Sequence, residues 1–250
     1  MNTIALYSLS TWGFILLASF FTGLGKAGLK GIDMLSVTIM AFAFGSKAST
    51  GIILPLLCIA DIAAVIYYHR HAQWIHFWKI VPWMMAGILI GMYVGKDLNE
   101  IVFRKIMAVI ILMTIVIIIF MELRKSKKVP THPFFVASTG LASGITTMLG
   151  NLAGAFSNLY FLAMRLEKND FIGTAAWIFL FMNLFKLPFQ IFFWKNITLE
   201  SIKIDAFLLP TLIIGFFLGL KIVNKVKEAH FRKLIIVLTL LGSLLMLFKK

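Results

Sequence analysis

The sequence predicts an all-α integral membrane protein of two inverted repeats, with about eight to ten membrane segments that include short or broken helices. Three observations carry that prediction. Of the 250 residues, 60% are hydrophobic and only 14% charged, whereas a soluble domain is near half apolar and about a quarter charged. The pattern Pro82, Gly87, Gly91, Phe103-Arg104-Lys105 returns, spacing intact, as Pro210, Gly215, Gly219, Phe231-Arg232-Lys233. Finally, the 24 Lys and Arg that give the chain its net charge of +14 punctuate the ends of apolar runs, where they anchor loops at anionic headgroups.

Ten apolar segments can be drawn, near 4–25, 32–46, 49–68, 78–95, 101–121, 133–149, 150–166, 170–195, 204–225 and 231–248. Several fall short of the roughly 20 residues that a perpendicular helix needs. The pairs 4–25 with 32–46 and 133–149 with 150–166 join at glycine-rich breaks, so each pair forms full crossings, a broken helix or a re-entrant hairpin. Irregular backbone at membrane depth is tolerated only where it is buried or lines a cavity. These breaks are therefore the first place to look for a site.

Five segments per half is an odd number, so the second half begins on the opposite side of the membrane. The expected units are a first repeat over 1–121, a hydrophilic linker over 122–132 and a second repeat over 133–250. Weaker matches extend the repeat backwards: Thr22-Gly23-Leu24 with Thr139-Gly140-Leu141, Gly51 with Gly173, and Asp61 with Asn183. Counting Lys and Arg by loop puts fifteen on one side and eight on the other, with Lys186 inside a segment. The richer side is expected to be cytoplasmic, with both termini outside. The first run lacks a basic leader and an A-x-A-like cleavage site and reads as a retained helix.

Ionisable groups within membrane segments are costly and need an account. Asp61, between Ala60 and Ile62, is either a proton-coupling or gating group or a structural acceptor joining two helices. Asn183, Lys186 and Gln190 follow i, i+3, i+7 spacing and form one polar stripe. Pro188 should kink that helix and free carbonyls near it. A cation, an amide and exposed backbone suit an anion, although Lys186 could also snorkel or pair with Asp61.

The run Gly23-Leu24-Gly25-Lys26-Ala27-Gly28-Leu29-Lys30-Gly31 is the strongest local break. With N–H groups at Gly25 and Gly28 and two lysines it can present positive charge to an anion, or be a plain turn. Met148-Leu149-Gly150-Asn151-Leu152-Ala153-Gly154 occupies the corresponding place in the second half. There Asn151 needs partners, while Gly150 and Gly154 allow close backbone approach or simple helix packing. Thr174 can donate to a solute or to its own helix.

Other classes recede. No basic patch interleaves with aromatics outside the apolar runs, which argues against nucleic acid. His69, His71 and His76 lack metal-ligand spacing and fit an interfacial loop. No H-E-x-x-H and no nucleophile elbow appears, so neither enzyme activity nor a cofactor is expected. The single cysteine, Cys58, lies in an apolar run and reads as packing.

Gly23-x-Gly-Lys-Ala-Gly-Leu-x-Gly, Gly51-Ile-Ile-Leu-Pro-Leu-Leu, Asp61 and Gln73-Trp74 together resemble the sulfite exporter TauE/SafE family. Met148 to Gly154, Thr174, Asn183 and Lys186-Leu187-Pro188 extend the resemblance through the second half. It implies an inner-membrane permease that exports sulfite, an organosulfonate or a related sulfur-containing or carboxylate anion. In two places the chain departs from the family pattern. Gly31 to Thr38 lacks the proline that often ends the first signature, and Ala155 stands where a proline commonly follows the second. Both lie at the expected site, so the resemblance carries fold further than substrate. The expectation is alternating access. Lys186 would supply charge, Asn183, Asn151 and Thr174 hydrogen bonds, and Gly25, Gly28, Gly150 and Gly154 backbone N–H groups. Asp61 would couple transport to protons or another ion. A passive anion channel, or more remotely a membrane enzyme or assembly subunit, is the alternative.

Overall fold

The computed structural model describes residues 8–99, 101–103, 105–106, 109, 113, 116, 132–227, 230–231 and 233–238. The linker, apart from His132, lies outside these residues, as do Arg104, Arg232 and most of the expected segments 101–121 and 231–248. Nine α-helices are delimited among the described residues: α1 Leu9–Lys26, α2 Asp33–Phe44, α3 Ala48–Ile52, α4 Leu54–Tyr68, α5 Trp74–Lys96, α6 Pro133–Gly150, α7 Ala153–Ala163, α8 Lys168–Pro188 and α9 Leu199–Lys225. No strand occurs among them. The protein is an all-α membrane protein. Four stretches, Ala48–His71, Trp74–Lys96, Lys168–Phe193 and Leu199–Lys225, are long and apolar enough to cross a bilayer.

Local chemistry sets the ends. Ser8 caps α1 by accepting the Thr11 N–H, and Thr198 and Ser201 form a reciprocal capping box at α9. Pro55 and Pro133 stand in the first turns of α4 and α6, where a missing N–H costs nothing. Asn151 closes α6 in the left-handed region at φ 55°, a conformation asparagine tolerates better than most residues. The α-helical ladder of α8 ends at Pro188, and the chain continues as a π-helical turn, Phe189–Phe193. A proline that cannot donate to the preceding turn favours such a change of pitch.

Apolar side chains point outward, as lipid requires. Trp78, Tyr93, Ile214 and Phe217 are exposed on α5 and α9, while Asp61, Lys186 and Gln190 are wholly buried. Two tight seams hold the bundle. Along the first, Gly23 of α1 meets Gly215 and Phe216 of α9, and Gly219 of α9 meets Leu24 and Ala27. Ser19 donates to the Leu208 carbonyl at 2.9 Å. Along the second, Gly140 and Gly144 of α6 meet Ile80 to Ile88 of α5, and Gly91 meets Ile145 and Met148. In both seams residue numbers rise together, so the paired helices run parallel. Small residues permit this backbone-to-backbone approach, and in lipid such packing is what joins helices. Between the seams, α4 and α8 cross in opposite directions. Gly51 abuts Asn196 at one end, and Gly173 abuts Tyr68 and His71 at the other. These ends are called the Asn196 end and the histidine end below.

Candidate functional site

The turn between α1 and α2 lies toward the histidine end, where Gly28 faces Ile172 and Val223. The α6–α7 turn lies toward the Asn196 end, where Asn151 donates to the Thr50 carbonyl at 2.9 Å. Between them lies a cavity of about 20 Å³ lined by Thr22, Lys26, Thr147, Asn151, Phe179 and Asn183, among others. That volume holds about one water. A four-heavy-atom anion needs the walls to part.

Two hydrogen-bonded groups flank the cavity. In the first, Lys26 Nζ donates to Asp61 Oδ1 at 2.6 Å, and Asn183 Nδ2 donates to Asp61 Oδ2 at 2.6 Å. In the second, Lys186 Nζ donates to Asn151 Oδ1 at 2.6 Å and to the Thr147 carbonyl and hydroxyl, both at 3.1 Å. Lys186 is thus bonded to neutral oxygens, and Asp61 is paired with Lys26. A third cation, Lys30, is buried, and its ammonium stands 5.2 Å from the centre of the Phe179 ring, as does that of Lys26. The negative face of the aromatic ring offsets part of the cost of bringing two cations together. Asp33 closes the floor: its Oδ1 accepts the Gly31 N–H at 2.8 Å, and its Oδ2 lies against Gly154. Three lysines against two carboxylates leave the site formally positive.

The polar stripe on α8 occupies one buried face. Gln190, a turn beyond Lys186, donates to the Thr50 hydroxyl at 3.2 Å and accepts from Asn196 at 3.1 Å. The four glycines have different surroundings. Gly154 lines the cavity in the first turn of α7. Gly25 and Gly150 lie within α1 and α6, and the Gly28 N–H donates to the Gly25 carbonyl at 3.2 Å. Gly28 adopts φ +126°, which explains a glycine there without invoking a ligand. Thr174 lies at the histidine end and accepts the Gln73 N–H at 2.8 Å. His71 approaches Asp170 at 3.6 Å, while His69 bonds the Ile66 carbonyl and His76 the Tyr160 hydroxyl, each at 2.9 Å.

Several contributors to the site carry no strong sequence signal. Phe179 is one phenylalanine among 24. Thr22 and Ser36, joined hydroxyl to hydroxyl at 2.6 Å, look like ordinary small residues of apolar helices. Asn158 is buried with neither amide atom partnered among the described residues, and its Nδ2 lies 3.4 Å from where a Cβ on Gly154 would stand. An asparagine within an apolar run was its one available signal.

The family model described as sulfite exporter TauE/SafE matches residues 13–246. The chain belongs to that family. The match takes in both seams, both turns and every residue of the cavity. The TauE/SafE assignment makes the protein a multi-pass membrane transporter. No curated protein and no solved structure matches the chain.

Proposed function

We propose that the protein exports a small anion, sulfite or a related organosulfonate or carboxylate, by alternating access through the cavity between the two turns. The observation that carries this reading is the cluster of Lys26, Lys30 and Lys186 buried around a cavity too small for the solute. Buried lysines without matching carboxylates are costly, and a small anion among them would supply the missing charge. Lys186 would be the principal contact. It can exchange its bonds to Asn151 and Thr147 for bonds to the solute without abandoning a carboxylate. Asn151 and Asn183 would orient the anion, and Gly154 would offer a first-turn N–H of α7. Thr174, which does not line the cavity and accepts the Gln73 N–H at the histidine end, would act there on how α8 parts from the neighbouring turn.

Alternating access would follow from two inverted repeats, 1–121 and 133–250, joined by 122–132. Paired contacts support this. The first helix of each half packs in parallel on the last long helix of the other, α1 on α9 and α6 on α5. Lys47 donates to the Lys96 carbonyl at the end of α5 and to that of Leu98 just after it, and Lys168 donates to the Val223 and Val226 carbonyls at the end of α9. Asp61 and Asn183, matched in the repeat, touch each other across 122 residues of sequence, as mates beside a pseudo-two-fold axis would. The charge bias would place the histidine end in the cytoplasm.

The test is counterflow in proteoliposomes loaded with unlabelled sulfite, organosulfonates or simple carboxylates. Transient accumulation of label in wild type, lost in Lys186→Gln, is the expected result. Steady flux without counterflow would instead mean a passive channel, and would overturn the carrier.

A further inference from the structure

Asp205 differs from the other buried carboxylate, Asp61. It lies in α9, is 3% exposed, and among the described residues neither of its carboxylate oxygens has a hydrogen-bond partner. Asp33, Asp61 and Asp170, by contrast, each accept at least one hydrogen bond. The adjoining Ile204 and Leu208 belong to an apolar cluster with Trp12, Ile15, Leu57 and Ala60. From α4, the buried Cys58 feels the charge of Asp205 together with those of Asp61, Lys26 and Lys186. The stretch of α1 from Leu9 to Gly25 carries no titratable side chain, and neither does α3. On α9 itself, Glu200 and Lys203 pair with each other at the exposed surface.

An ionised carboxylate held among apolar side chains is far costlier than the neutral acid in the same place. An intramembrane acid of this kind marks an ion or proton path. Asp61 suits that task poorly: protonating it would strand Lys26, whose ammonium lies 2.6 Å away. Asp205 can take up a proton without breaking any bond seen in the structure.

We propose that Asp205 is the proton-carrying group that couples anion movement to the proton gradient, a role that rests on the carrier reading above. The step is a protonation. An O–H bond forms on the carboxylate with a proton from one aqueous phase and breaks when that proton leaves to the other. No electron moves. Coupling runs through the first glycine seam, because α9 bears Asp205 and packs backbone to backbone on α1, which ends in Lys26. Once ionised, Asp205 demands water, and so favours arrangements in which α1, α4 and α9 part near the Asn196 end. Protonated, it favours the closed packing seen here. Its proton occupancy is thereby tied to the opening of the cavity.

The experiment compares wild type, Asp205→Asn and Asp205→Glu in voltage-clamped vesicles, with labelled sulfite as the probe. An imposed gradient of about one pH unit supports about tenfold accumulation at one proton per anion, and the probe's own protonation is the same in all three preparations. Asp205→Asn should keep sulfite counterflow and lose the gradient-driven accumulation, and Asp205→Glu should restore it. Infrared difference spectra should also show a protonated carboxyl band in wild type that disappears in Asp205→Asn. Counterflow with full gradient-driven accumulation in Asp205→Asn would overturn the proton role alone. So would absence of the carboxyl band, even if the asparagine variant failed to fold. Absence of counterflow in wild type would overturn the carrier reading, and the coupling with it.

Discussion

Lys26 and Lys186 are both buried lysines beside one cavity, yet they are held in opposite ways. Lys26 meets a carboxylate, Asp61, itself held from the other side by Asn183. Lys186 meets an amide oxygen, a carbonyl and a hydroxyl. Coulomb attraction offsets the desolvation of Lys26 within the fold, and removing either partner leaves a bare charge in a low-dielectric interior. Neutral oxygens hydrogen-bond Lys186 without cancelling its charge, which stays available to a solute. Lys26 is thus the cation that holds the structure, and Lys186 the one that would meet the anion in the proposed function.

The largest expected effect comes from breaking the first group. Lys26→Met should cost about 3–5 kcal/mol by stranding Asp61, seen as a large fall in thermal stability in detergent, and Lys26→Met with Asp61→Leu should recover most of it. Stability unchanged in the single variant, with transport lost, would exchange the roles of the two lysines. Next is Gly144→Val. Its side chain would collide with the Met84 carbonyl and the Gly87 backbone, costing about 1–3 kcal/mol or more and loosening the α5–α6 seam. Lys186→Gln should lower sulfite counterflow at least about tenfold while costing less stability than Lys26→Met, because it removes only charge-assisted bonds of about 1.5–3 kcal/mol. The smallest effect is Lys30→Gln. Loss of one cation over Phe179, about 0.5–2 kcal/mol, should appear as weaker apparent affinity at unchanged maximal rate, read from concentration-dependent uptake.

Much of the architecture could be read from residues alone because its causes are local. Apolar runs bounded by Lys, Arg and glycine yielded the helices, and the expected break between 4–25 and 32–46 is the α1–α2 turn at Ala27 to Ile32. The segment expected over 49–68 is interrupted at Ile53, where a short α3 gives way to α4. The helix expected from residue 78 begins at Trp74, because Trp74 and His76 are amphipathic enough to occupy a first turn at the membrane surface. The stripe Asn183, Lys186 and Gln190 follows from helical periodicity and is buried as one face. The partners of those residues had no such signature. Lys186 ends on Asn151 and Thr147 rather than on Asp61, and the Asp61 carboxylate goes instead to a lysine from the glycine-rich break.

Composition and periodicity by themselves determined the solvent and the helices, because each depends on residues within a few turns of one another, and the order and spacing of motifs along the chain carried the resemblance to the family. Tertiary structure alone decided which charges meet, that α1 and α6 each run parallel to a helix of the other half, and that Asp205 has no hydrogen-bond partner among the described residues. The physical reason is distance along the chain. Lys26 and Asp61 are 35 residues apart and Asp61 and Asn183 are 122 apart, so those contacts depend on how two turns and two glycine seams aim whole helices.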